Sequence, residues 1–186
     1  MKYLVAGLGN IGDEYASTRH NIGFDVLNKL CQQEDVNFSL ERYAYRSKFK
    51  LKGRTLILIK PTTYMNLSGK AIAYWLQKEK IALEKLLIVT DDIALPVGKL
   101  RLKPFGGDGG HNGLSHIIET LRTREFPRLR FGIGNEFEKG EQVDYVLGQW
   151  KEKDKQTLES GLQNAILMIK SFATIGIERT MNQMNS

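Results

Sequence analysis

Apolar runs of strand length, each closed by glycine, proline or acidic residues, alternate along this chain with stretches whose apolar residues recur at helical spacing. The runs are KYLVAGLG, KLKGRTLILIK up to Pro61, LLIVTDD and RLRFGIG. Short apolar segments bounded in this way read as buried strands. Between and after them, helix faces are marked by four sets of residues. They are Ile22, Val26, Leu27 and Leu30; Ile72, Trp75 and Leu76; Leu114, Ile117, Ile118 and Leu121; and Leu158, Leu162, Ile166, Ile169 and Phe172. Thr18 or Asn21 is available to cap the first helix, and Ser68 opens the second. This alternation predicts an α/β domain, a twisted β-sheet flanked by helices. The sheet should be mixed, because the two strands of KLKGRTLILIK lie too close for a crossover. GKLRLK alternates apolar and basic and adds a strand with one solvated face.

At 186 residues the chain should form a single domain over 1–186, burying about two-thirds of its unfolded surface. It shows no repeat, low-complexity tract or linker, and a polar tail, about 179–186, is expected to fray. MKYLVAGLG lacks a signal-peptide h-region, and no apolar run reaches membrane length. One cysteine, Cys31, excludes an internal disulfide framework. A cytoplasmic protein without a membrane partner is therefore expected. The net charge of +6 is modest but unevenly spread. From Lys99 to Arg130 there are seven Lys or Arg against three acids, which makes a polyanionic partner plausible.

Ligand sites in such folds gather at the carboxyl ends of strands. GLGNIG, Gly7 to Gly12, satisfies the dinucleotide fingerprint there, but that site needs its third glycine in the first turn of a helix and an acid closing a second strand. Here helical periodicity begins only near Asn21, and Glu34 and Asp35 close a helix. A turn whose glycines let backbone approach a substrate, presenting Asn10, is the better reading. Asn10, Asn66 and Asn112 each end a loop, and neutral amides both donate and accept, which suits recognition of peptide groups. Asp91 and Asp92 end a strand and point to opposite faces, so one carboxylate can fix the tautomer of His20. His111 and His116, five apart, do not share a helical face, and neither a cysteine cluster nor H-E-x-x-H is present, so no metal is expected. No G-x-S-x-G elbow supports a serine nucleophile. Cys31 falls on an apolar helix face as a packed thiol.

Taken together, GLGNIGDEYASTRHNIGF, KPTTYMNLSG, DDIALPVGKLRLK, GGDGGHNG, RLRFGIGNE and DYVLG resemble the bacterial peptidyl-tRNA hydrolases, in order and over roughly three-quarters of the chain. The resemblance implies a monomeric α/β globule that hydrolyses the ester between a peptide and the 3′ ribose of tRNA, with no cofactor or metal. It assigns His20 as catalytic base and Asp91 as its carboxylate partner. Asn10, Asn66 and Asn112 would position peptidyl-tRNA, with Tyr15, Met65 and His111 in the same cleft. Lys103 would meet tRNA phosphate, with Arg101, Arg128 and Arg130 as further candidates. Ile11 stands where the family has proline, Ala94 where an acid is common, and Asn135-Glu136 where arginine and proline are usual. Two readings of other classes remain open, a nucleotide-binding oxidoreductase from GLGNIG and a non-catalytic RNA-binding protein from the basic stretch.

Overall fold

The computed structural model describes residues 1–185. Strands β1 (Lys2–Gly7), β4 (Arg54–Pro61), β5 (Leu86–Asp92) and β7 (Arg128–Gly132) run parallel at the centre. Antiparallel strands flank them, β2 (Ser39–Glu41) and β3 (Ala44–Leu51) on one side and β6 (Leu100–Lys103) on the other. The order across the seven-stranded mixed sheet is β2-β3-β4-β1-β5-β7-β6. The alternation of side chains along parallel strands, both faces covered, divides the interior in two. Val5, Leu56, Leu58, Leu87 and Val89 face a core shared with α1 (Ile22–Gln33) and α5 (Lys155–Ile175). Leu4, Ala6, Ile57, Ile59 and Ile88 face the other, under α2 (Ser68–Glu79) and α3 (Asn112–Leu121).

The first glycine of GLGNIG serves this packing. A Cβ at Gly7 would lie 2.2 Å from the carbonyl oxygen of Gly23, so the bare backbone lets α1 lie directly on β1. Gly12 (φ 112°) leads into a 3-10 turn, Asp13–Tyr15, and no helix starts there; α1 begins ten residues after it. The helix N-terminus that a pyrophosphate needs is absent from this loop.

Two expectations about elements need correction. The hairpin is longer than KLKGRTLILIK, since β3 begins at Ala44 and pairs with β4 from Ala44↔Pro61 to Leu51↔Arg54. AYRSKFKL buries only Ala44, Ser47 and Phe49 and exposes its other residues in part or fully, so its mean apolarity is low. The polar tail is also folded as far as Asn185. It forms α6 (Ile177–Met184), and the Asn185 amide accepts from Leu102 N–H and donates to Leu102 C=O, at 2.8 and 2.9 Å. A side chain thus satisfies the open edge of β6 where no neighbouring strand does. Among the described residues, no helix is long and apolar enough to cross a membrane.

Candidate active site

The loops leaving the carboxyl ends of β1, β4 and β5 meet at one end of the sheet, and a cleft of about 620 Å³, open to solvent, lies there. His20, Asp91, His111 and Asn112 line it, with Leu114, Val143 and Val146 as apolar wall. Asp91 is buried at the end of β5, and each oxygen takes a histidine: Oδ2 lies 2.7 Å from His20 Nδ1, and Oδ1 lies 2.7 Å from His111 Nε2. Burial by itself would push the Asp91 carboxyl up. His111 and His20 outweigh it and hold the group well below the ordinary carboxylate range.

The two histidines differ in what their far nitrogens do. His111 caps α3, its Nδ1 accepting from Gly113 N–H at 3.0 Å and Leu114 N–H at 3.2 Å. An atom that accepts two backbone protons carries none, so His111 is the neutral ring with its proton on Nε2, donated to Asp91. His20 directs Nδ1 to the same carboxylate, which makes Nδ1 the donor and leaves Nε2 with a lone pair. His20 Nε2 has no hydrogen-bond partner among the described residues. The ligand atoms of His20, Asp91 and His111 also lie within 4.8 Å of one another, a grouping able to hold a metal ion. A cation ligated through His20 Nδ1 and His111 Nε2 would displace the protons that these nitrogens share with Asp91.

The amides are organised by one buried residue. Asn21 (3% exposed) accepts from Asn10 N–H and donates to Asn10 C=O, both at 2.8 Å. Asn10 Oδ1 in turn accepts from Met65 N–H at 2.7 Å, so its NH₂ is the free end. Met65 is held at φ 64°, ψ 160° of the preceding Tyr64, a region nearly reserved for glycine, which costs about 1–3 kcal/mol. Met65 is buried against α3. A Cβ at Gly113 would lie 2.7 Å from Met65 Sδ and 2.9 Å from His111 Cε1. Asn66 and Asn112 are exposed beside this contact, one on each side. Tyr15 is half-buried in its 3-10 turn and makes no hydrogen bond or ring contact with the His20 cluster.

The basic candidates part company. Lys103 is exposed at the end of β6, with Arg101 half-buried on the same strand. Arg130 is partly exposed and its Nε sits 2.5 Å from Asp92 Oδ2, while Asp92 Oδ1 also accepts from Ala94 N–H. Lys103 and Arg130 line a second cavity that shares Asp92, Asp108 and Gly109 with the first. Arg128 is 2% exposed, and its guanidinium donates to the carbonyls of Phe126, Gly107 and Arg124. These three bonds tie it to the glycine-rich loop at Gly107 and to the segment before β7, and Arg128 also lines the second cavity beside Lys103 and Arg130. At the Asn135-Glu136 departure, Glu136 pairs with Lys151 and Lys153 at the surface.

Two positioning residues had weaker signals. Asn21 stands directly after His20 in RHN and reads as a cap. Arg19 reads as a surface cation yet is 5% exposed, stacked 4.1 Å over the Tyr145 ring and donating to the Tyr145 carbonyl at 2.9 Å. With Arg19 N–H bonded to Gly148 C=O, it ties the DYVLG segment, including α4 (Gln142–Val146), to the His20 turn.

The profile of the peptidyl-tRNA hydrolase family matches residues 4–186. The chain is 56% identical over 186 residues to a peptidyl-tRNA hydrolase of Cytophaga hutchinsonii, covering 100% of this chain and 99% of that one. It is 56% identical over 185 residues to that of Phocaeicola vulgatus, covering 100% and 99%. The crystal structure of peptidyl-tRNA hydrolase from Acinetobacter baumannii superposes with a TM-score of 0.93 at 33% identity, covering 99% of this chain and 94% of that one.

Proposed function

The chain belongs to the peptidyl-tRNA hydrolase family, and from that premise we propose that it cleaves the ester between peptide and tRNA 3′ ribose with a water activated by His20. The observation that carries this reading is the division between the histidines. Asp91 orients both, the α3 N-terminus occupies the far nitrogen of His111, and only His20 Nε2 keeps a lone pair at the cleft. Water attacks the ester carbonyl carbon while Nε2 takes its proton, and Asp91 stabilises the imidazolium that forms. The tetrahedral intermediate collapses with loss of the ribose 3′ oxygen, which receives the proton back from Nε2. The free NH₂ of Asn10 is the donor best placed by its own bonds to meet the oxyanion. Asn66 and Asn112 hold peptide groups of the substrate, which suits a site that accepts many sequences. Lys103 and Arg130, on the far side of Asp92, serve the tRNA phosphates.

The test is release of N-blocked peptide from peptidyl-tRNA. His20→Ala should lower kcat by about 10²–10⁴-fold, the worth of general-base help. Asp91→Asn should leave a smaller deficit, and EDTA should change nothing. Near-normal turnover by His20→Ala would overturn the mechanism, and full inhibition by EDTA would assign the His20, Asp91 and His111 grouping to a cation.

A further inference from the structure

Beyond Asn66 the surface continues as a stripe on the exposed side of α2. Lys70 and Tyr74 are four apart on α2, the spacing that stacks side chains on one helix face, and Asn66 lies in the 3-10 turn just before it. The β2–β3 turn packs against this stripe. Lys70 Nζ lies 5.0 Å from the centre of the Tyr43 ring, and Tyr43 meets Tyr74 edge to face at 5.6 Å. The Arg42 guanidinium lies 5.1 and 5.5 Å from the same two rings. Neither Arg42 nor Lys70 has an acidic partner among the described residues, whereas neighbouring Arg46 takes both nearby acids, Glu41 and Glu79. Tyr43, like Tyr64, is held at φ 64°, and its carbonyl accepts from Thr62 N–H at 2.8 Å, which joins the turn to the loop that presents Asn66. One strained tyrosine, Tyr43, whose hydroxyl accepts from Arg42 at 3.3 Å, and two cations without an acidic partner among the described residues therefore sit on one patch beside Asn66.

We infer that this patch, built from Arg42, Tyr43, Lys70 and Tyr74, binds acidic side chains of the peptidyl part of the substrate, several residues from the ester. The inference rests on the proposed function. The sheet order carries the choice of occupant. Arg130 and Lys103 lie on β7 and β6, His20 and Asp91 beside β1 and β5, and Arg42 and Tyr43 by β3, on the opposite flank. A substrate whose tRNA lies toward β6 and whose ester lies at His20 runs its peptide over Asn66 toward α2. From Asn66 to Tyr74 the chain passes from a 3-10 turn into α2, a span of about 13 Å at roughly 2.0 and 1.5 Å per residue. An extended peptide covers that in about four residues.

The experiment compares three peptidyl-tRNAs on the native chain and on Arg42→Glu/Lys70→Glu. One carries an N-acetylated single amino acid, and two carry hexapeptides with Glu or Lys at the fourth to sixth residues from the ester. Trp75 Nε1 bonds the Arg42 backbone carbonyl, so that contact survives the substitution. The native chain should show a KM about fivefold lower for the Glu peptide than for the Lys peptide, as two exposed ion pairs give. The double variant should lose or invert that ratio and turn over the single-residue substrate as before. A native ratio of one would overturn the inference alone. Equal weakening of all three substrates would also overturn it, assigning the cations to tRNA. Failure of the native chain on all three substrates would remove the proposed function itself, and this inference with it.

Discussion

One nitrogen, His111 Nδ1, separates the roles of two rings that share a carboxylate. Because backbone N–H groups hold it as an acceptor, His111 serves as a fixed donor to Asp91, and in the proposed reaction it stays out of proton transfer. A second carboxylate shows the opposite use of burial. Asp25 on α1 is pushed up to about 6 by desolvation, with Lys60 pulling it back in part. Between the unfolded value near 3.8 and 6 the folded chain binds the proton more tightly, so this group lowers stability as pH rises through that window, and the cost is complete above it. Asp25→Asn should accordingly stabilise the fold by about 1–3 kcal/mol at pH 8, with the gain vanishing below about pH 4. Denaturant midpoints at pH 8, 6 and 4 measure it. A gain independent of pH would point to a cause other than the charge.

At the scale of elements, the turn between β4 and α2 gives up backbone comfort to present Met65 and Asn66. Tyr64 adopts a conformation that glycine takes freely, and the Asn10 bond to Met65 N–H holds the turn in place. Tyr64→Gly should leave stability unchanged or raise it by about 1 kcal/mol, because strain relief offsets the greater freedom of the unfolded chain. The same change should raise KM several-fold, since the Asn10 bond is then the main restraint on a freer backbone and Asn66 takes up more orientations. Thermal denaturation and peptide-release kinetics on one preparation separate the two effects. A stability loss above about 2 kcal/mol would mean that the ring, and not the backbone, maintains the turn.

Across the whole molecule, the sheet order lays the candidate residues out in a line, with Lys103 and Arg130 on β6 and β7, His20 and Asp91 at β1 and β5, and Asn10 and Asn66 at β1 and β4, while α3 brings His111 and Asn112 in from above. Lys103 belongs to the first of these groups and touches none of the others. Lys103→Ala should raise KM for peptidyl-tRNA, leave kcat in place and lower the slope of log KM against log salt by about 1, the signature of one lost phosphate contact. An unchanged slope would remove Lys103 from the tRNA side of the cleft.

The amino-acid sequence by itself determined the strand and helix alternation, the mixed α/β class and the loops that carry His20, Asp91 and the three asparagines. These follow from local periodicity and from turn residues, which act over a few positions. The first six residues of strand β3 were illegible for the same reason, because AYRSKF mixes cations with few apolar residues. Only the tertiary structure decided that His111, ninety-one residues after His20, shares its carboxylate. It also showed Asn21 fixing Asn10, Arg19 buried beneath Tyr145, and Arg128 turned inward onto loop carbonyls. A cation reads alike in a sequence whether it ends in solvent or under a ring. Burial depends on which distant segments pack over it, and that is settled when the two cores close on either side of the sheet.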